Sequence, residues 1–200
     1  MNYLAHIYLS KENDLLKIGN FIADGVKGNS YLKFQKDIQA GILLHRQIDS
    51  FTDSHPIVSQ SKKRLFNKYR HYSSVIVDIY YDHFLAKNWE IYSQIELSVF
   101  AQNFYDLLER QFDVLPKRYQ NLFPFMTSQN WLYSYASLEG IQRVFDGMNR
   151  RTKHPSKMNE AVQELELYYS SFENEFSNFF RELIMFSDQK RKEILKQFAL

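Results

Sequence analysis

The sequence contains no cysteine among its 200 residues. This absence excludes disulfide bonds, thiolate zinc sites and cysteine nucleophiles, and it fits a reducing compartment such as the cytoplasm. No run approaches the roughly 20 apolar residues of a membrane-spanning helix. The N-terminal segment MNYLAHIYLSKEND also lacks the basic region of a secretory signal. We therefore expect a soluble, cytoplasmic protein without a membrane-spanning helix.

Glycine and proline are scarce, with six and four residues in the chain. Both residues disfavour the interior of a helix, so their scarcity favours helical structure. Apolar residues also recur at three- and four-residue steps, and the alternation typical of β-strands is missing. One such series is Leu97, Phe100, Phe104, Leu107, Leu108 and Phe112. The sequence therefore predicts an all-α protein.

The same pattern sets the expected order of elements. We predict helices near residues 2–9, 12–26, 34–53, 56–70, 74–89, 95–112, 117–125, 128–135, 137–149 and 157–198. Breaks are expected at 25–29, 54–56, 152–155, Pro116 and Pro124, and Pro56 suits the first turn of a helix. Because no segment is long enough to act as a linker, residues 1–200 are predicted to form a single domain.

The segment GILLHRQIDSFTDSHP, residues 41–56, contains three side chains that commonly bind metal ions. His45, Asp49 and Asp53 follow one another at four-residue intervals, which places them on one face of a helix. His45 and Asp49 can therefore bind one ion from adjacent turns, whereas Asp53 lies at the helix end and would contact the ion only through water. An ordinary ion pair explains the same spacing.

Two further candidates precede this segment. His6 lies in the apolar segment MNYLAHIYLS, where a histidine is either a ligand or a hydrogen-bonded core residue. Asp24 ends the apolar segment IGNFIAD, and a carboxylate at the C-terminus of a helix opposes the helix dipole. Either a bound cation or a turn hydrogen bond before Gly25 would offset that cost.

The segment VIVDIYYDHFLAKNW is apolar on nearly every helical face, so it is expected to be buried. It nevertheless contains Asp78, Asp82 and His83. Buried carboxylates are rare unless they are paired or bound to a metal. A metal site and a buried hydrogen-bonded network are both compatible with this pattern.

Together these segments provide imidazole and carboxylate groups without thiolates, a donor set that suits Mn²⁺, Mg²⁺, Fe²⁺ or Zn²⁺ and favours the harder ions. Such a centre lowers the pKa of a bound water and polarises a phosphoryl oxygen. The chain contains neither a glycine-rich phosphate loop nor a G-x-S-x-G motif. Metal-assisted hydrolysis of a phosphoester is therefore the leading chemical hypothesis.

Five blocks support a resemblance to a known family. MNYLAHIYLS, GNFIADGVKGN, GILLHRQIDSFTDSHP, DIYYDHFLAKNW and GMNRR occur in this order in the chain. In their order and positions they resemble the acyl carrier protein phosphodiesterases, over almost the whole length. The resemblance implies a single-domain, HD-domain-like helical bundle that uses a divalent metal, with Mn²⁺ favoured and Mg²⁺ or Fe²⁺ possible.

The resemblance also implies the reaction and its residues. Holo-acyl carrier protein would be hydrolysed to apo-carrier protein and 4′-phosphopantetheine, as a step of fatty acid and lipid metabolism. Asp24 would be catalytic or metal-binding, and His6 or His83 would protonate the leaving oxygen. The implied metal ligands are His6, Asp24, His45, Asp49 and Asp82. Arg46, Asp53 and Asp78 would surround them or contact the phosphate. The chain departs from the usual HD pattern because its adjacent pair, Asp82-His83, is reversed.

Two segments without acidic residues are candidate docking surfaces for an acidic carrier protein. The first runs between Ser54 and Val77 and the second between Gly147 and Asn159. Their lysines and arginines are Lys62, Lys63, Arg64, Lys68, Arg70, Arg150, Arg151, Lys153 and Lys157. Basic segments are also often no more than solvated faces. Two other functions stay open: an HD-like phosphohydrolase acting on nucleotides, and a non-catalytic helical module that binds carrier protein. Nucleic acid is not the expected partner, and the oligomeric state is undetermined.

Overall fold

The computed structural model describes residues 1–200, and all of its regular structure is helical. The α-helices are α1 (Tyr3–Leu9), α2 (Asp14–Ile22), α3 (Lys36–Ser54), α4 (Pro56–Tyr69), α5 (Ser73–Lys87), α6 (Trp89–Tyr92), α7 (Leu97–Arg110), α8 (Lys117–Ser128), α9 (Trp131–Ser134), α10 (Leu138–Arg151), α11 (Ala161–Leu167) and α12 (Tyr169–Phe198). Short 3₁₀ turns lie at Ala23–Gly25, Gly28–Lys33, Arg70–Tyr72, Phe112–Val114 and Met158–Glu160. The prediction of an all-α fold is confirmed.

Several helices begin where side chains cap them. The Asn13 side chain accepts a hydrogen bond from the Leu16 N–H at the start of α2. The His55 ring accepts one from the Ile57 N–H at the start of α4, with Pro56 in the first turn as predicted. These bonds satisfy backbone donors that the first helical turn leaves free.

Three predicted boundaries are wrong. The helix predicted over 12–26 ends at Ile22, because the chain tightens into the 3₁₀ turn Ala23–Gly25. The helix predicted over 157–198 is divided at Tyr168, whose φ of −115° and ψ of 25° leave the helical region. Pro124 lies inside α8 instead of ending it. This proline is exposed, so the carbonyl that its ring leaves unbonded can be solvated.

The buried apolar residues form one continuous cluster of 50 residues. The helix α12 packs along α3, α4 and α5, and it buries four phenylalanines against them. These residues are Phe172, Phe176, Phe179 and Phe180. The burial predicted for the apolar segment around residues 75–86 is confirmed, because α5 lies in this core. Among the helices, none has both the length and the apolar character that a membrane crossing requires.

The helices α2 and α3 approach each other unusually closely, because glycines face each other at their crossing. A Cβ atom on Gly41 would lie 2.3 Å from the Leu16 carbonyl oxygen, and one on Gly19 would lie 2.2 Å from that of Ile38. Side chains at these positions would force the helices apart. The close crossing brings the next turn of α2 within hydrogen-bond distance of α3.

Candidate metal centre

Two helices and one turn meet at a cluster of four polar side chains. The helix α1 contributes His6, α3 contributes His45 and Asp49, and the Ala23–Gly25 turn contributes Asp24. The two histidines are only 3% and 5% exposed, whereas the side chains of Asp49 and Asp24 are 39% and 59% exposed. The cluster therefore opens to solvent on its carboxylate side.

Asn20 of α2 fixes both imidazole rings. Its side-chain oxygen lies 2.7 Å from Nδ1 of His6, and its backbone oxygen lies 2.8 Å from Nδ1 of His45. The Asn20 amide group donates to the His6 carbonyl oxygen at 2.9 Å and to the Ser10 hydroxyl at 3.0 Å, so its oxygen is the acceptor. Both Nδ1 atoms therefore carry hydrogen, and Nε2 is the atom of each ring that is left to bind a proton or a cation.

Both Nε2 atoms face the same carboxylate. Nε2 of His45 lies 2.9 Å from Asp49 Oδ2 and 3.2 Å from Asp24 Oδ1. Nε2 of His6 lies 3.2 Å from Asp49 Oδ1. The two rings stack with their centroids 4.0 Å apart, and both Nε2 atoms point toward Asp49.

The surroundings shift the pKa values of the two histidines in opposite directions. Burial lowers the pKa of His6 to about 4, and the charge of His45 acts in the same direction. Burial also opposes charge on His45, but hydrogen bonds to Asp24 and Asp49 outweigh it and raise the pKa of His45 to about 9. The bond to His45 lowers the pKa of Asp24. Burial acts to raise the pKa of Asp49, but its contacts with the two histidines outweigh that effect and lower it.

This donor set fits a divalent cation. The ligand atoms of His6, His45 and Asp49 all lie within 4.8 Å of one another. Nε2 of His6 is buried and has no hydrogen-bond partner, a costly arrangement unless another group binds the lone pair. The two carboxylates and one imidazolium leave the cluster negatively charged. A bound cation would replace the His45 proton as the positive charge beside the two carboxylates.

The turn that contains Asp24 is anchored from two sides. The Arg46 guanidinium donates to the Val26 carbonyl oxygen at 3.1 Å and to that of Gly28 at 2.7 Å. The Gly25 N–H donates to the Tyr119 hydroxyl at 3.1 Å. Arg46 therefore binds the backbone just after Asp24, instead of extending toward the cluster.

The candidates on α5 lie outside the cluster. Asp82 is fully buried and accepts hydrogen bonds from the N–H groups of Asn2 and Leu4. Burial raises the pKa of its carboxyl to about 7. Asp78 accepts a hydrogen bond from the Met1 ammonium at 3.0 Å.

His83, the third candidate on α5, lies 2.7 Å from the Tyr135 carbonyl oxygen through Nδ1 and 2.9 Å from the Tyr169 hydroxyl through Nε2. The structure does not bring these α5 side chains to His6 and His45. Their roles in the reaction stay predictions.

Most basic residues of the first predicted docking segment have partners within the chain. Arg64 forms a two-pronged pair with the buried Glu175, at 2.7 and 2.6 Å. Lys68 pairs with Glu160 and Glu164, and Lys62 pairs at 2.8 Å with Asp53, the exposed candidate at the end of α3. Lys63, Arg70, Arg150, Arg151 and Lys153 are exposed and form no ion pair.

Asn20 is the residue of the cluster that sequence reasoning missed. It stands inside the same segment as Asp24, and its signal is a polar amide in the middle of an apolar helix. Buried amides need hydrogen-bond partners, and here the partners are the candidate ligands themselves.

Comparison with known proteins gives a consistent assignment. The profile of the family described as acyl carrier protein phosphodiesterase matches residues 1–183. A protein of that name from Photorhabdus laumondii is 36% identical over 90% of this chain and 91% of its own length. A protein of the same name from Pectobacterium atrosepticum is 33% identical over 90% of this chain and 94% of its own length. Another from Yersinia pestis is 31% identical over 96% of this chain and 100% of its own length. No solved structure matches. The chain belongs to the acyl carrier protein phosphodiesterase family, a family named for phosphoric diester hydrolysis.

Proposed function

We propose that this protein is a divalent-metal-dependent phosphodiesterase that hydrolyses holo-acyl carrier protein. The products are apo-carrier protein and 4′-phosphopantetheine. Family membership supports the reaction, because the relatives bear the name of that activity. The observation that carries the metal dependence is the convergence of His6, His45 and Asp49 on one point, with the lone pair of His6 buried and unbonded.

In this proposal, His6, His45 and Asp49 hold the ion. When bound, a divalent cation stabilises developing charge on a phosphoryl oxygen and makes a nucleophile from water near neutral pH. Two imidazole nitrogens suit Mn²⁺ or Fe²⁺ better than Mg²⁺, which prefers oxygen ligands. Together with the resemblance noted above, this makes Mn²⁺ the favoured ion.

The other residues orient the reactants. Asp24, at the open side of the cluster, orients the attacking water through its carboxylate or completes the ligand set. Asn20 holds each imidazole so that Nε2 stays available. Arg46 holds the turn that positions Asp24. A single HD-domain-like unit spanning residues 1–200 is proposed on the strength of the resemblance. The absence of cysteine fits a cytoplasmic setting.

The test combines metal analysis with a substrate panel. The protein is purified, stripped with EDTA and reloaded with Mn²⁺, Fe²⁺ or Mg²⁺. Each form is incubated with holo-carrier protein, nucleoside monophosphates or cyclic nucleotides. We expect release of 4′-phosphopantetheine and a mobility shift of the carrier, strongest with Mn²⁺ and lost in EDTA. Hydrolysis of nucleotides alone, or carrier binding without any product, would replace this proposal with one of the alternative functions. Equal activity in EDTA would remove the metal from it.

A further inference from the structure

A cleft of about 790 Å³ lies between α8, α9 and α10, and residues from the starts of α1 and α5 complete its wall. Its apolar floor includes Leu122, Trp131, Val144 and Met148. Four arginines line it: Arg118, Arg143, Arg150 and Arg151. None of its lining residues is aspartate or glutamate, so the cleft is strongly cationic.

The arginines are exposed and mostly free to bind a partner. Arg118 and Arg150 form no hydrogen bond or ion pair within the chain. Arg151 donates through Nε to the Gly147 carbonyl oxygen, which leaves the outer part of its guanidinium free. Only Arg143 has an acidic neighbour, Glu139, which lies one helical turn away on the exposed face of α10. In the first docking segment, by contrast, Lys62, Arg64 and Lys68 are all paired with carboxylates of the chain.

The cleft is joined to the metal centre through α1. Tyr3 lines the cleft, and His6, one turn later in the same helix, belongs to the cluster. Burial raises the pKa of the Tyr3 hydroxyl. Arg118 and Arg151 act to lower this pKa and Asp24 acts to raise it, and the net change is an increase. The charges of the cleft and of the candidate catalytic aspartate therefore act on the same hydroxyl. The cleft and the metal centre therefore share α1, one helical turn apart.

We propose that this cleft is the docking site for an acidic amphipathic helix of the protein substrate. The apolar stripe of that helix lies on the floor near Trp131, and carboxylates beside the stripe pair with Arg118, Arg150 and Arg151. A small anion such as phosphate would contact the arginines and leave the apolar lining around Leu122, Trp131 and Val144 uncovered. An amphipathic helix covers both kinds of surface, which favours a helix as the occupant. The proposal rests on the proposed function, which identifies the substrate protein as holo-acyl carrier protein. It assigns the docking of that protein to this one surface.

Trp131 provides a direct probe of binding. The only other tryptophan, Trp89, is buried outside the cleft. Apo-carrier protein is titrated into the full-length enzyme while tryptophan emission is recorded, so that binding is measured without turnover. Emission should change in wild type and in Trp89→Phe, and the change should disappear in Trp131→Phe. Steady-state kinetics with holo-carrier protein are measured in parallel.

Charge reversal then tests the arginines. Arg118→Glu/Arg150→Glu should raise both the Kd for apo-carrier protein and the KM for holo-carrier protein about tenfold or more, with kcat changed less than about twofold. The control is Lys36→Glu/Lys192→Glu, which makes the same charge change at two exposed, unpaired residues outside the cleft. It should change both constants less than about twofold. Circular dichroism and Tm establish that all variants are folded.

The outcomes separate this proposal from the proposed function. If wild type hydrolyses holo-carrier protein but the arginine reversal leaves Kd and KM unchanged, the cleft proposal is overturned and the function stands. If wild type binds carrier protein at Trp131 without releasing product, the function fails and the docking site stands. A Trp131 response to adenosine 3′,5′-bisphosphate with none to carrier protein would also overturn the docking site, in favour of a nucleotide site.

Discussion

The imidazole rings of His6 and His45 stack 4.0 Å apart, with 18° between their planes. They come from α1 and α3, so the spacing of residues within one helix does not predict that they meet. Two imidazolium ions at that distance would repel each other, and the structure avoids this by holding His6 neutral, with a pKa of about 4, and His45 charged. Buried, stacked and aimed at one carboxylate, the two rings form with Asp49 the group that we propose holds the cation.

Asn20→Ala is expected to weaken metal binding about 10- to 100-fold. The substitution removes the side-chain oxygen that lies 2.7 Å from Nδ1 of His6 and 3.2 Å from Nδ1 of His45, while the backbone oxygen that lies 2.8 Å from Nδ1 of His45 remains. Mn²⁺ affinity is measured by titration calorimetry on the stripped protein. Ser10→Ala is the matched control, because Ser10 belongs to the same hydrogen-bond network but contacts neither ring. Similar losses in the two variants would mean that Asn20 acts only on stability.

Asp24→Ala is expected to abolish turnover while the protein stays folded. Asp24 is largely exposed, so its removal leaves no cavity in the core, and His6, His45 and Asp49 are retained. Turnover of holo-carrier protein and Tm are measured together. The control is Asp53→Ala, which removes an exposed carboxylate paired with Lys62 at the end of α3, and activity should stay within about twofold. Full activity in Asp24→Ala would exclude that carboxylate from the mechanism.

Arg46→Lys is expected to lower kcat about tenfold or more, because a lysine cannot bind the Val26 and Gly28 carbonyl oxygens with the same planar fork. Mn²⁺ affinity should change less than about threefold, since none of the three ligands that define the cluster contacts Arg46. Lys190→Ala, which breaks an exposed ion pair on α12, is the control and should leave kcat unchanged. If Arg46 instead bound the substrate phosphate, KM would rise with the turn intact.

The sequence predicted most of the helices and pointed to His6, Asp24, His45 and Asp49 as candidates for physical reasons. Apolar spacing identifies buried helix faces, and the four-residue interval between His45 and Asp49 is a property of one helix. The position of Asp24 after an apolar segment was also visible. What the sequence could not give is which distant side chains meet. The buried α5 shows this clearly, since Asp82 and His83 satisfied the same criteria and yet bind backbone and tyrosine groups elsewhere.

The basic segments illustrate the same limit. Absence of acidic residues along the chain suggested two positive surfaces, but Arg64 and Lys68 meet carboxylates from α12 and α11. The cationic cleft, in contrast, combines Arg118 of α8 with three arginines of α10, and no local window of sequence contains them all. Charge counted along the chain therefore predicts a surface only when tertiary contacts leave the charge unpaired.

Gly41→Ala is expected to destabilise the protein by about 1–3 kcal/mol or more. The added Cβ would lie 2.3 Å from the Leu16 carbonyl oxygen and 2.8 Å from the Cα of Gly19, so α2 and α3 must separate. Because these helices contain Asn20 and His45, Mn²⁺ affinity should fall with stability. Urea unfolding measures the first effect and calorimetry the second. Gly147→Ala is the control: its Cβ meets nothing closer than 3.6 Å, so stability should rise by about 0.5–1 kcal/mol.

Asp82 is expected to make stability depend on pH. Burial raises its folded pKa to about 7, from the ordinary 3.8 of an aspartate carboxyl. The folded protein therefore holds this proton more tightly than the unfolded chain, and the stabilisation is fully present below about pH 4 and lost as pH rises toward 7. Since Asn does not titrate, the free energy of unfolding of wild type minus that of Asp82→Asn should fall between pH 5 and pH 7 and level off above it.

Urea unfolding of both proteins in EDTA at pH 5, 6, 7 and 8 measures this difference without metal linkage. A decrease of up to about 3 kcal/mol is expected, since each pH unit in this window contributes at most 1.36 kcal/mol. Asp113→Asn is the control, because Asp113 is exposed and contacts no charged group, so its difference from wild type should stay flat. A difference for Asp82→Asn that is flat, or that grows with pH, would mean that the two backbone N–H groups of Asn2 and Leu4 hold this carboxyl ionised in spite of its burial.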